Sequence, residues 1–506
     1  FIYTNFKILY FIKMKTISKI IFLFFFIFSC NTKNDKINNE KLNVLFIVAD
    51  DLNCAIGAYG DPQAITPNID KLAKKGLIFT DAHNQYPHCG PSRVSFMTGL
   101  YPDQTKSKSL RLYVRQTIPD VVTLGEKLIK ENYHSARVGK IYHYHNPRDI
   151  GTAGHDDPFT WNRTVNPWGR DKREEYKINT LQEGAYGGTL SWLQADGTDE
   201  EQTDGIGATE TIRFLDEFAK TGENFFLAYG LFRPHTPYVA PKKYYDMYNV
   251  EDFYIPESNE EYLKTIPIPA AQSVREKKVQ NYLDQDLAKE IKHAYYATTS
   301  FVDAQIGRVL DKLEETGLDK NTIIILTSDH GYHLGEHGHW QKRTLFNHAT
   351  RVPLIFSGPG VNNKKGNVDD PVELVDLYPT IMDMLNIDPP KFLSGRSLKS
   401  YLSGDRTQIR YNALTELRVW TPNGTAQGYS LKTKDHRLTK WLYNDNLDFE
   451  LYDLTNDKSE LNNLGYDSDY QKVKDSLKII INNRIFEANK YPESLGRQIE
   501  NASPTN

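Results

Sequence analysis

The sequence predicts an α/β protein with a large, mostly parallel sheet flanked by helices and a smaller antiparallel sheet in a C-terminal subdomain. Over most of the 506-residue chain, short apolar runs alternate with helical patterns, which is typical of a doubly wound fold. After about Gly404 the pattern changes to that of antiparallel strands. The length exceeds that of one ordinary core, so a large domain plus a smaller one, or a single very large sheet domain, is expected.

Four apolar runs are predicted to be strands that are buried on both faces. They lack the polar alternation of a half-exposed strand, and each ends in polar or charged residues. Parallel strands bring such residues together at one edge of the sheet, where ligands bind. The runs are residues 43–51 (NVLFIVADD), 134–143 (HSARVGKIYH), 224–235 (NFFLAYGLFRPH) and 321–330 (NTIIILTSDH). Their polar ends place Asp50, Asp51, Lys140, His235, Asp329 and His330 at this edge.

The segments between and after these runs complete the fold prediction. Residues 68–76 (NIDKLAKKG) and 299–317 (TSFVDAQIGRVLDKLEETG) are expected to be helices that stop at glycine. Residues 152–204 show little periodicity and are expected to be long loops that shape a substrate cleft. TELRVW, GYSLKTKDHRLTKWLY and FELYDLT predict antiparallel strands, followed by a helix around residues 470–488. The predicted domains are therefore residues 42–404 and 405–506.

The first 30 residues have the layout of an export signal. From Met14, two lysines precede a short apolar run that ends at Phe28, and Ser29-Cys30 follows. The run is too short to span a bilayer, and the segment resembles a bacterial lipoprotein signal in which Cys30 is lipidated after cleavage. We expect translation to start at Met14 and residues 31–41 to form a polar tether.

This signal predicts an exported protein held on the bacterial membrane by its N-terminal lipid, at the periplasmic or the cell-surface face. A single-pass anchor made by joining both N-terminal apolar runs is the alternative. Lys13, Lys15 and Lys19 interrupt that joined run, which disfavours it.

Charge and cysteine content exclude some classes of protein. A net charge of −4 gives no global attraction for nucleic acid or anionic lipid, so affinity for an anion must come from a local cluster. No nucleic-acid partner is expected. Of the three cysteines, Cys54 and Cys89 remain if Cys30 carries lipid, and they can form one disulfide. One bridge is a poor framework for a chain of this length, so Cys89 needs another explanation.

The stretch His88–Gly99 (HCGPSRVSFMTG) places Cys89 at the start of a predicted helix. Pro91 suits the first helical position and Gly99 suits the stop. A helix N-terminus attracts anions, and Arg93 adds a cationic group one turn later. A bare thiol at this position is expected to be a nucleophile with a depressed pKa. The motif alone leaves the role of the cysteine open.

The same stretch resembles the signature C-x-P-S-R-x-x-x-[ML]-T-G of the type I sulfatases. IVADDLN, VGKIYH, RPHTPY, TSDHGYHLGEHGHWQK and LYDLTNDKSELNNL also occur in the order found in that family, closest to its iduronate-2-sulfatase-like branch. The resemblance covers nearly the whole mature chain. It implies an alkaline-phosphatase-like sulfatase fold and a formylglycine (3-oxoalanine) at Cys89, made by a formylglycine-generating or sulfatase-maturating enzyme. In the family the hydrate of this aldehyde is the nucleophile, so the cysteine is retained as a precursor and not as a thiol.

The resemblance also implies a metal site for one Ca²⁺ ion. Carboxylate oxygens are the donors that Ca²⁺ prefers. The matching positions are Asp50, Asp51, Asp329, His330 and the modified Cys89. In the family the metal neutralises sulfate oxygens and orients the nucleophile, and one ligand, here Asp329, takes the proton of the attacking hydroxyl.

The remaining matched residues carry the acid–base steps. His235 and Lys342 match the side where the sugar alcohol leaves, a poor leaving group that needs a proton donor. His143, with Lys140 one short turn earlier, matches the base that assists elimination of sulfate. Arg93, Lys140 and Lys342 are expected to hold the anionic oxygens.

Each of these residues also has a structural interpretation. Asp50 and Asp51 can cap the next helix. His143 and His145 can be surface histidines, His235 a loop residue between prolines, and Lys342 a solvated charge. The functional interpretation is preferred because the matches occur together and in order.

One motif points to different chemistry. His333-Leu-Gly-Glu-His337 has the spacing H-x-x-E-H of a zinc peptidase, which requires a helix to place both histidines on one face. Glycines at 331, 335 and 338 each destabilise a helix by roughly 1 kcal/mol relative to alanine, so the peptidase interpretation is disfavoured. Some of these histidines are expected at the sulfate pocket or its rim instead.

The predicted function is hydrolysis of sulfate esters on a sulfated carbohydrate. A marine algal polysaccharide or its oligosaccharides, with ulvan as first choice, fits a lipoprotein signal combined with a uronate-sulfatase resemblance. The alternatives are a glycosaminoglycan uronate-2-O-sulfatase, a phosphatase or phosphodiesterase of the same superfamily, and a non-catalytic glycan-binding lipoprotein. The phosphatase alternative calls for a Ser or Thr nucleophile and two zinc ions, and a binding protein would not explain a complete nucleophile, metal and acid–base set.

Overall fold

A computed structural model of the chain describes residues 41–257, 260–364 and 366–504. The predicted signal region, Cys30 and all but the last residue of the polar tether lie outside these residues.

The strands are β1 Asn43–Asp50, β2 Leu77–His83, β3 His134–Gly139, β4 Arg163–Val165, β5 Asn179–Thr180, β6 Ser191–Ala195, β7 Phe225–Pro234, β8 Tyr238–Pro241, β9 Thr322–Ser328, β10 His333–Leu334, β11 Trp340–Gln341, β12 Arg351–Ser357, β13 Val372–Glu373, β14 Asn412–Thr421, β15 Gly424–Thr433, β16 His436–Tyr443 and β17 Asn446–Asp453. The α-helices are α1 Pro67–Lys75, α2 Cys89–Thr98, α3 Pro102–Thr105, α4 Val114–Thr117, α5 Leu124–Lys130, α6 Arg170–Arg173, α7 Thr203–Thr221, α8 Lys242–Tyr245, α9 Ile268–Val274, α10 Gln285–Glu315, α11 Asn347–Thr350, α12 Leu377–Met384, α13 Lys399–Ser403 and α14 Gln471–Asn489.

The central sheet has eight strands in the order β13-β2-β12-β9-β1-β7-β3-β4. Strands β9, β1, β7, β3 and β4 pair in parallel, whereas β12 is antiparallel to both of its neighbours. The prediction of a large, mostly parallel sheet flanked by helices is therefore confirmed. All four predicted central strands occur.

Strand β1 is buried on both faces, as its uninterrupted apolar run predicts. Its even-numbered side chains, such as Phe46, pack in one core cluster with residues of α2, including Phe96. Its odd-numbered side chains, such as Ile47, belong to a second cluster with apolar residues of α7 and α10. Helices on both faces thus fix the sheet, and the carboxyl ends of its parallel strands lie at one edge.

The C-terminal residues form the predicted antiparallel sheet, with strand order β14-β15-β16-β17. Helix α14 packs on one face of it through Leu477 and Ile481. On the other face, Trp441 lies in a cluster with Leu345 and Phe346 of the large domain. The boundary predicted near residue 404 stays a prediction, because Leu42–Asn506 form one compact unit.

Two details differ from the sequence prediction. Helix α10 is 31 residues long and begins at Gln285, 14 residues before the predicted start, because the Asp284 side chain caps it by accepting a hydrogen bond from Leu287 N. Cys54 and Cys89 are both free, so the possible disulfide between them is wrong. Within the described part of the chain, no helix is both long enough and apolar enough to cross a membrane.

Candidate active site

The carboxyl ends of β1, β7, β3 and β9 bring the predicted site residues together. Asp50 and Asp51 end β1, His235 follows β7, Lys140 follows β3, and Asp329 follows β9. Close approach of β3 and β7 depends on two glycines: a Cβ on Gly139 would lie 2.0 Å from the Gly230 carbonyl oxygen, and φ of Gly139 is +73°. This edge of the sheet is where an α/β fold binds ligands.

Asp51 turns the chain sharply at the end of β1. Its φ is +65°, a left-handed conformation that is strained for a residue with a side chain. The turn is held because Asp51 N donates to Asp329 Oδ1 at 3.2 Å and the Asp51 carbonyl accepts from Tyr295 Oη at 2.8 Å. Neighbouring elements thus fix the direction of the Asp51 carboxylate.

Cys89 is the first residue of α2, two positions earlier than the start predicted from Pro91, and it is 1% exposed. Its Sγ lies 3.3 Å from His330 Nε2, 3.3 Å from Lys342 Nζ and 3.9 Å from Asp51 Oδ1. Burial and the charge of Asp50 raise the pKa of the Cys89 thiol well above its usual value. The expectation of a depressed thiol pKa is therefore wrong, since burial and the charges of Asp50 and Asp329 outweigh the attraction of the helix N-terminus for anions. The thiol form is a poor nucleophile here.

The carboxylates of Asp50 and Asp51 differ in how their negative charges are neutralised. Asp50 accepts from Arg93 Nη2 at 2.9 Å and from Lys140 Nζ. Burial opposes ionisation of Asp50, but the charge of Lys140 and its neighbours holds its pKa well below the usual range. Asp51 accepts from Lys342 Nζ at 2.5 Å, yet its pKa is raised, chiefly by burial and further by the nearby charges of Asp50 and Asp329. Negative charge therefore accumulates around Asp51.

The donors at this site fit a hard divalent cation. Ligand atoms of Asp51, Cys89, Asp329 and His330 lie within 4.8 Å of one another, and Asp50 joins Asp51 and Cys89 in an overlapping group with His235. Asp51 Oδ2 is buried and has no hydrogen-bond partner, as expected of an atom reserved for a metal. His330 Nδ1 lies 2.9 Å from the Gly331 carbonyl, a bond that directs Nε2 towards the carboxylates.

Arg93 and Lys140 lie beneath the carboxylates. Arg93 is fully buried, and its guanidinium donates to Asp50, Asp329 Oδ2 at 2.9 Å and the carbonyls of Lys140 and Ile141. Lys140 Nζ also donates to the Tyr144 carbonyl at 3.0 Å. Most of their donors are engaged within the protein, so both residues act as supports, Arg93 of the Asp50 and Asp329 carboxylates and Lys140 of Asp50. Among the three cations predicted to hold anionic oxygens, Lys342 lines the open cavity.

A cavity of about 690 Å³ opens above Cys89. It brings together His143, His235 and Lys342 as predicted. Burial, reinforced by the charges of Lys140 and Lys342 respectively, holds the pKa values of His143 and His235 well below the usual range. Both imidazoles are therefore neutral at pH 7. Burial lowers the pKa of Lys342, but the negative charges around it, that of Asp51 foremost, together raise it by more, so Lys342 stays protonated.

The neutral histidines have different surroundings. His143 Nε2 lies 3.4 Å from His145 Nδ1, whereas His143 Nδ1 is buried without a partner. His235 Nδ1 is bonded to the Thr236 carbonyl, and Nε2 lies 3.8 Å from Asp51 Oδ2. A histidine whose Nδ1–H is held by a carbonyl presents Nε2 as a proton acceptor.

Several cavity residues were not found from the sequence. Lys277, between α9 and α10, is half-buried, and desolvation together with the charge of Lys342 lowers its pKa to about 8. Its ammonium donates to the Gly188 carbonyl and the Gln341 side-chain oxygen, neither of which neutralises its charge. Trp420 of β14 reaches the cavity from the C-terminal sheet and is 73% exposed. Tyr186 lines it from the loop between β5 and β6. The prediction that residues 152–204 form long loops is wrong in part, because they also contain β4, β5, β6 and α6.

The stretch His333–His337 does not form the helix that a zinc peptidase requires. Glu336–Gly338 is a single 3₁₀ turn in which His337 has φ +59°, and Gly335, the residue before it, has φ +106°. The peptidase interpretation therefore has no structural support. The expectation that some histidines of this stretch lie at the sulfate pocket is wrong, because His333 and His337 lie outside the lining of the cavity above Cys89. His339, two residues beyond the stretch, does line that cavity.

Comparison with known proteins gives consistent matches along the chain. The profile of the Sulfatase family matches residues 42–387, and that of N-sulphoglucosamine sulphohydrolase, C-terminal, matches residues 335–486. A sulfatase of Formosa agariphila is 32% identical over 90% of this chain and 89% of its own length. Iduronate 2-sulfatase of Mus musculus is 28% identical (87% and 93% covered), and an ulvan-active sulfatase of Formosa agariphila is 25% identical (92% and 85% covered).

Solved structures share the fold. A 2-O GAG sulfatase superposes with a TM-score of 0.70 at 23% identity, covering 89% of this chain and 93% of that one. The phosphonate monoester hydrolase of Silicibacter pomeroyi gives a TM-score of 0.75 at 22% identity, covering 90% and 97%. At this identity the likeness establishes the alkaline-phosphatase-like architecture alone.

Proposed function

Because the chain belongs to the sulfatase family and is a sulfuric ester hydrolase, we propose that it removes sulfate from a sulfated polysaccharide or its oligosaccharides. We propose ulvan as the first substrate, a formylglycine derived from Cys89 as the nucleophile, and one Ca²⁺ ion as the metal. The observation that carries the proposal is a cationic cavity that ends on Cys89 above a buried cluster of carboxylates.

The lining of the cavity supports an anionic carbohydrate. Five lysines and arginines line it against two acidic side chains, although the whole chain has a net charge of −4. They are Arg148, Lys172, Lys277, Lys342 and Arg343, facing Glu175 and Glu276. Tyr186 and Trp420 add aromatic surface of the kind on which sugar rings stack. A substrate with sulfate and a further anionic group, such as a uronate, matches this arrangement.

The surroundings of Cys89 support its use as a precursor. Its thiol is buried among Asp51, His330 and Lys342, and its raised pKa disfavours a thiolate. Converted to the aldehyde, position 89 would supply a hydrated carbonyl whose two hydroxyls allow attack at sulfur and later elimination of sulfate. A formylglycine-generating or sulfatase-maturating enzyme is the partner that this requires.

Asp50, Asp51, Asp329 and His330 would hold the Ca²⁺ ion. Bound there, Ca²⁺ would neutralise the negative charge of the sulfate oxygens and polarise the ester. The protein supports this site from below, because Arg93 fixes Asp50 and Asp329 in place through charge-assisted hydrogen bonds.

Protons are handled by residues that line the cavity. Lys342 Nζ is protonated and faces Cys89 Sγ, so it can donate to the oxygen that leaves the sulfur. His235 Nε2 lies beside Asp51 on the same side and orients or shares that proton. His143 is neutral and has a free ring nitrogen, which suits the base that accepts a proton when sulfate is eliminated.

The choice of ulvan is supported by the ulvan-active relative and by the uronate in the iduronate 2-sulfatase name. A glycosaminoglycan uronate-2-O-sulfatase is the second candidate, favoured by the same iduronate 2-sulfatase match. Export and an N-terminal lipid anchor at Cys30, on the periplasmic or cell-surface face, complete the proposal. They are supported by the signal-like sequence from Met14 to Cys30.

The test is sulfate release, measured by ion chromatography, from defined oligosaccharides of ulvan, carrageenan, fucoidan and heparin. Matured wild-type protein is compared with Cys89→Ala, and an aryl phosphate is included. Activity on ulvan oligosaccharides is expected. Release confined to heparin-type disaccharides would establish the second candidate, and dominant phosphate turnover would overturn the sulfatase assignment.

A further inference from the structure

A second cluster of metal-binding side chains lies outside the cavity above Cys89. His333 of β10, Glu336 of the following 3₁₀ turn and His348 of α11 offer ligand atoms that all lie within 4.8 Å of one another. The ring centroids of His333 and His348 are 5.3 Å apart. Residues up to 15 positions apart in the sequence are thus brought together by the fold.

Several ring nitrogens in and beside this cluster lack hydrogen-bond partners. His333 is fully buried, and its Nε2 lies 2.8 Å from Thr344 Oγ1 whereas its Nδ1 is buried without a partner. His348 Nδ1 is also buried and unpartnered. Neighbouring His337 is 3% exposed and has neither ring nitrogen bonded. Buried polar atoms are nearly always satisfied, so several orphans at one point indicate a missing ligand.

The charges around the cluster permit a cation. The charged groups that act on His337 are His348 and His339. Glu336 Oε2 accepts a hydrogen bond from Leu334 N at 2.6 Å. Lys292 is close enough to interact electrostatically with the Glu336 carboxylate, but its ammonium donates its hydrogen bond to the Tyr254 carbonyl, at 2.8 Å. The cluster therefore combines two imidazoles with an anionic oxygen.

We propose that His333, Glu336 and His348 bind one zinc ion. Two imidazoles and a carboxylate are a typical ligand set for Zn²⁺, whereas a Ca²⁺ site needs mainly oxygen donors, such as the three carboxylates beside His330. The bond from His333 to Thr344 fixes the ring and leaves Nδ1 to the metal, as second-shell partners of metal-bound histidines do. His337, stacked on Phe346 with centroids 4.0 Å apart, closes the cluster on one side.

The position of this site suggests what the ion does. Lys342 lies between Glu336 and His348 in the sequence, and its carbonyl oxygen lies 3.0 Å from His339 Nε2. A zinc ion bound by residues of β10, the 3₁₀ turn and α11 would hold both ends of the segment between Glu336 and His348. It is thus a structural ion that holds the segment carrying Lys342, distinct from the Ca²⁺ at Asp50 and Asp51.

The experiment measures zinc and not sulfate, so its outcome is independent of the proposed function. Protein saturated with Ca²⁺ is exposed to Zn²⁺, desalted and analysed by inductively coupled plasma mass spectrometry. Wild type and the control His436→Ala, which changes a histidine of β16 outside the cluster, are expected to retain one zinc per chain. His333→Ala and His348→Ala are expected to retain none.

A second measurement covers the case in which a variant does not fold. Co²⁺ is added to Ca²⁺-saturated wild-type protein that retains an unmodified Cys89. Visible absorption of Co²⁺ without a sulfur-to-cobalt charge-transfer band is expected. No bound metal in wild type, equal zinc in folded wild type and His348→Ala, or a sulfur-to-cobalt band would overturn the proposal.

Discussion

Replacing Lys342 by methionine tests the assignment of the proton donor. Lys342 Nζ contacts both Asp51 Oδ1, at 2.5 Å, and Cys89 Sγ, at 3.3 Å, so it faces the atoms where the ester is cleaved. Methionine keeps the length and apolar stem of the side chain but removes its charge and its protons. The change therefore isolates the ammonium group.

The expected loss depends on the leaving group. A sugar alcohol needs a proton as it leaves, and a positioned acid contributes about 10²–10⁴-fold to such a step. At about 1.36 kcal/mol per factor of ten, this corresponds to roughly 3–5 kcal/mol of transition-state stabilisation. Nitrophenolate leaves without a proton, so an aryl sulfate is expected to lose only about 10-fold through the missing charge.

The assay compares kcat/KM of wild type and Lys342→Met on a sulfated oligosaccharide and on 4-nitrophenyl sulfate. Lys320→Met, which changes a lysine in the turn before β9, is the control for altered surface charge. Metal content is measured for each protein, because loss of the Asp51 partner can change metal binding. Equal losses on both substrates would refute the assignment of Lys342 as proton donor.

Three further predictions concern the metal and the walls of the cavity. Asp329→Asn removes an anionic donor that Arg93 holds in place, so Ca²⁺ affinity measured by calorimetry is expected to fall at least about 10-fold; unchanged affinity would exclude Asp329 as a ligand. Burial lowers the pKa of Lys277 to about 8, so its positive charge is lost as pH rises through 8, and KM for an anionic oligosaccharide is expected to rise there. Lys277→Met is expected to have a high KM at every pH. A wild-type KM that is flat from pH 7 to 9 would contradict this role of Lys277. Trp420→Ala removes an exposed aromatic wall and is expected to raise KM for the oligosaccharide about 10-fold while leaving 4-nitrophenyl sulfate turnover unchanged, whereas an equal effect on both substrates would indicate a general loss of structure.

The sequence was sufficient for the parts of the site that follow strands or occupy a motif. Asp50, Lys140, His235 and Asp329 were located because polar residues that end buried parallel strands converge at one edge of the sheet. Cys89 was located by its motif at a helix start. These predictions rest on local order along the chain, which the fold preserves.

Other features depend on tertiary contacts that no local pattern records. Lys277 and Trp420 reach the cavity from separate elements far from the motifs. The thiol pKa of Cys89 was predicted in the wrong direction, because the helix N-terminus was visible in the sequence but the complete burial of the thiol, the largest cause of its raised pKa, was not. His348 gave no signal beside the H-x-x-E-H spacing, since α11 brings it to His333 only in the folded protein.

The role of Arg93 also needed the structure. A cationic residue one turn into an anion-binding helix suggested contact with substrate. The side chain instead lies fully buried and donates to two carboxylates and two carbonyls. Its charge offsets that of Asp50 and Asp329, which the sequence alone could not show.

The central claim is that position 89 works as an aldehyde. Mass spectrometry of the peptide that contains Cys89, from protein co-expressed with a maturating enzyme, measures this directly alongside sulfate release from the same preparation. Turnover is expected to rise in proportion to the fraction of residue 89 converted to formylglycine and to be absent in Cys89→Ala. Full turnover by protein whose residue 89 is entirely unmodified cysteine, or by Cys89→Ala, would contradict it.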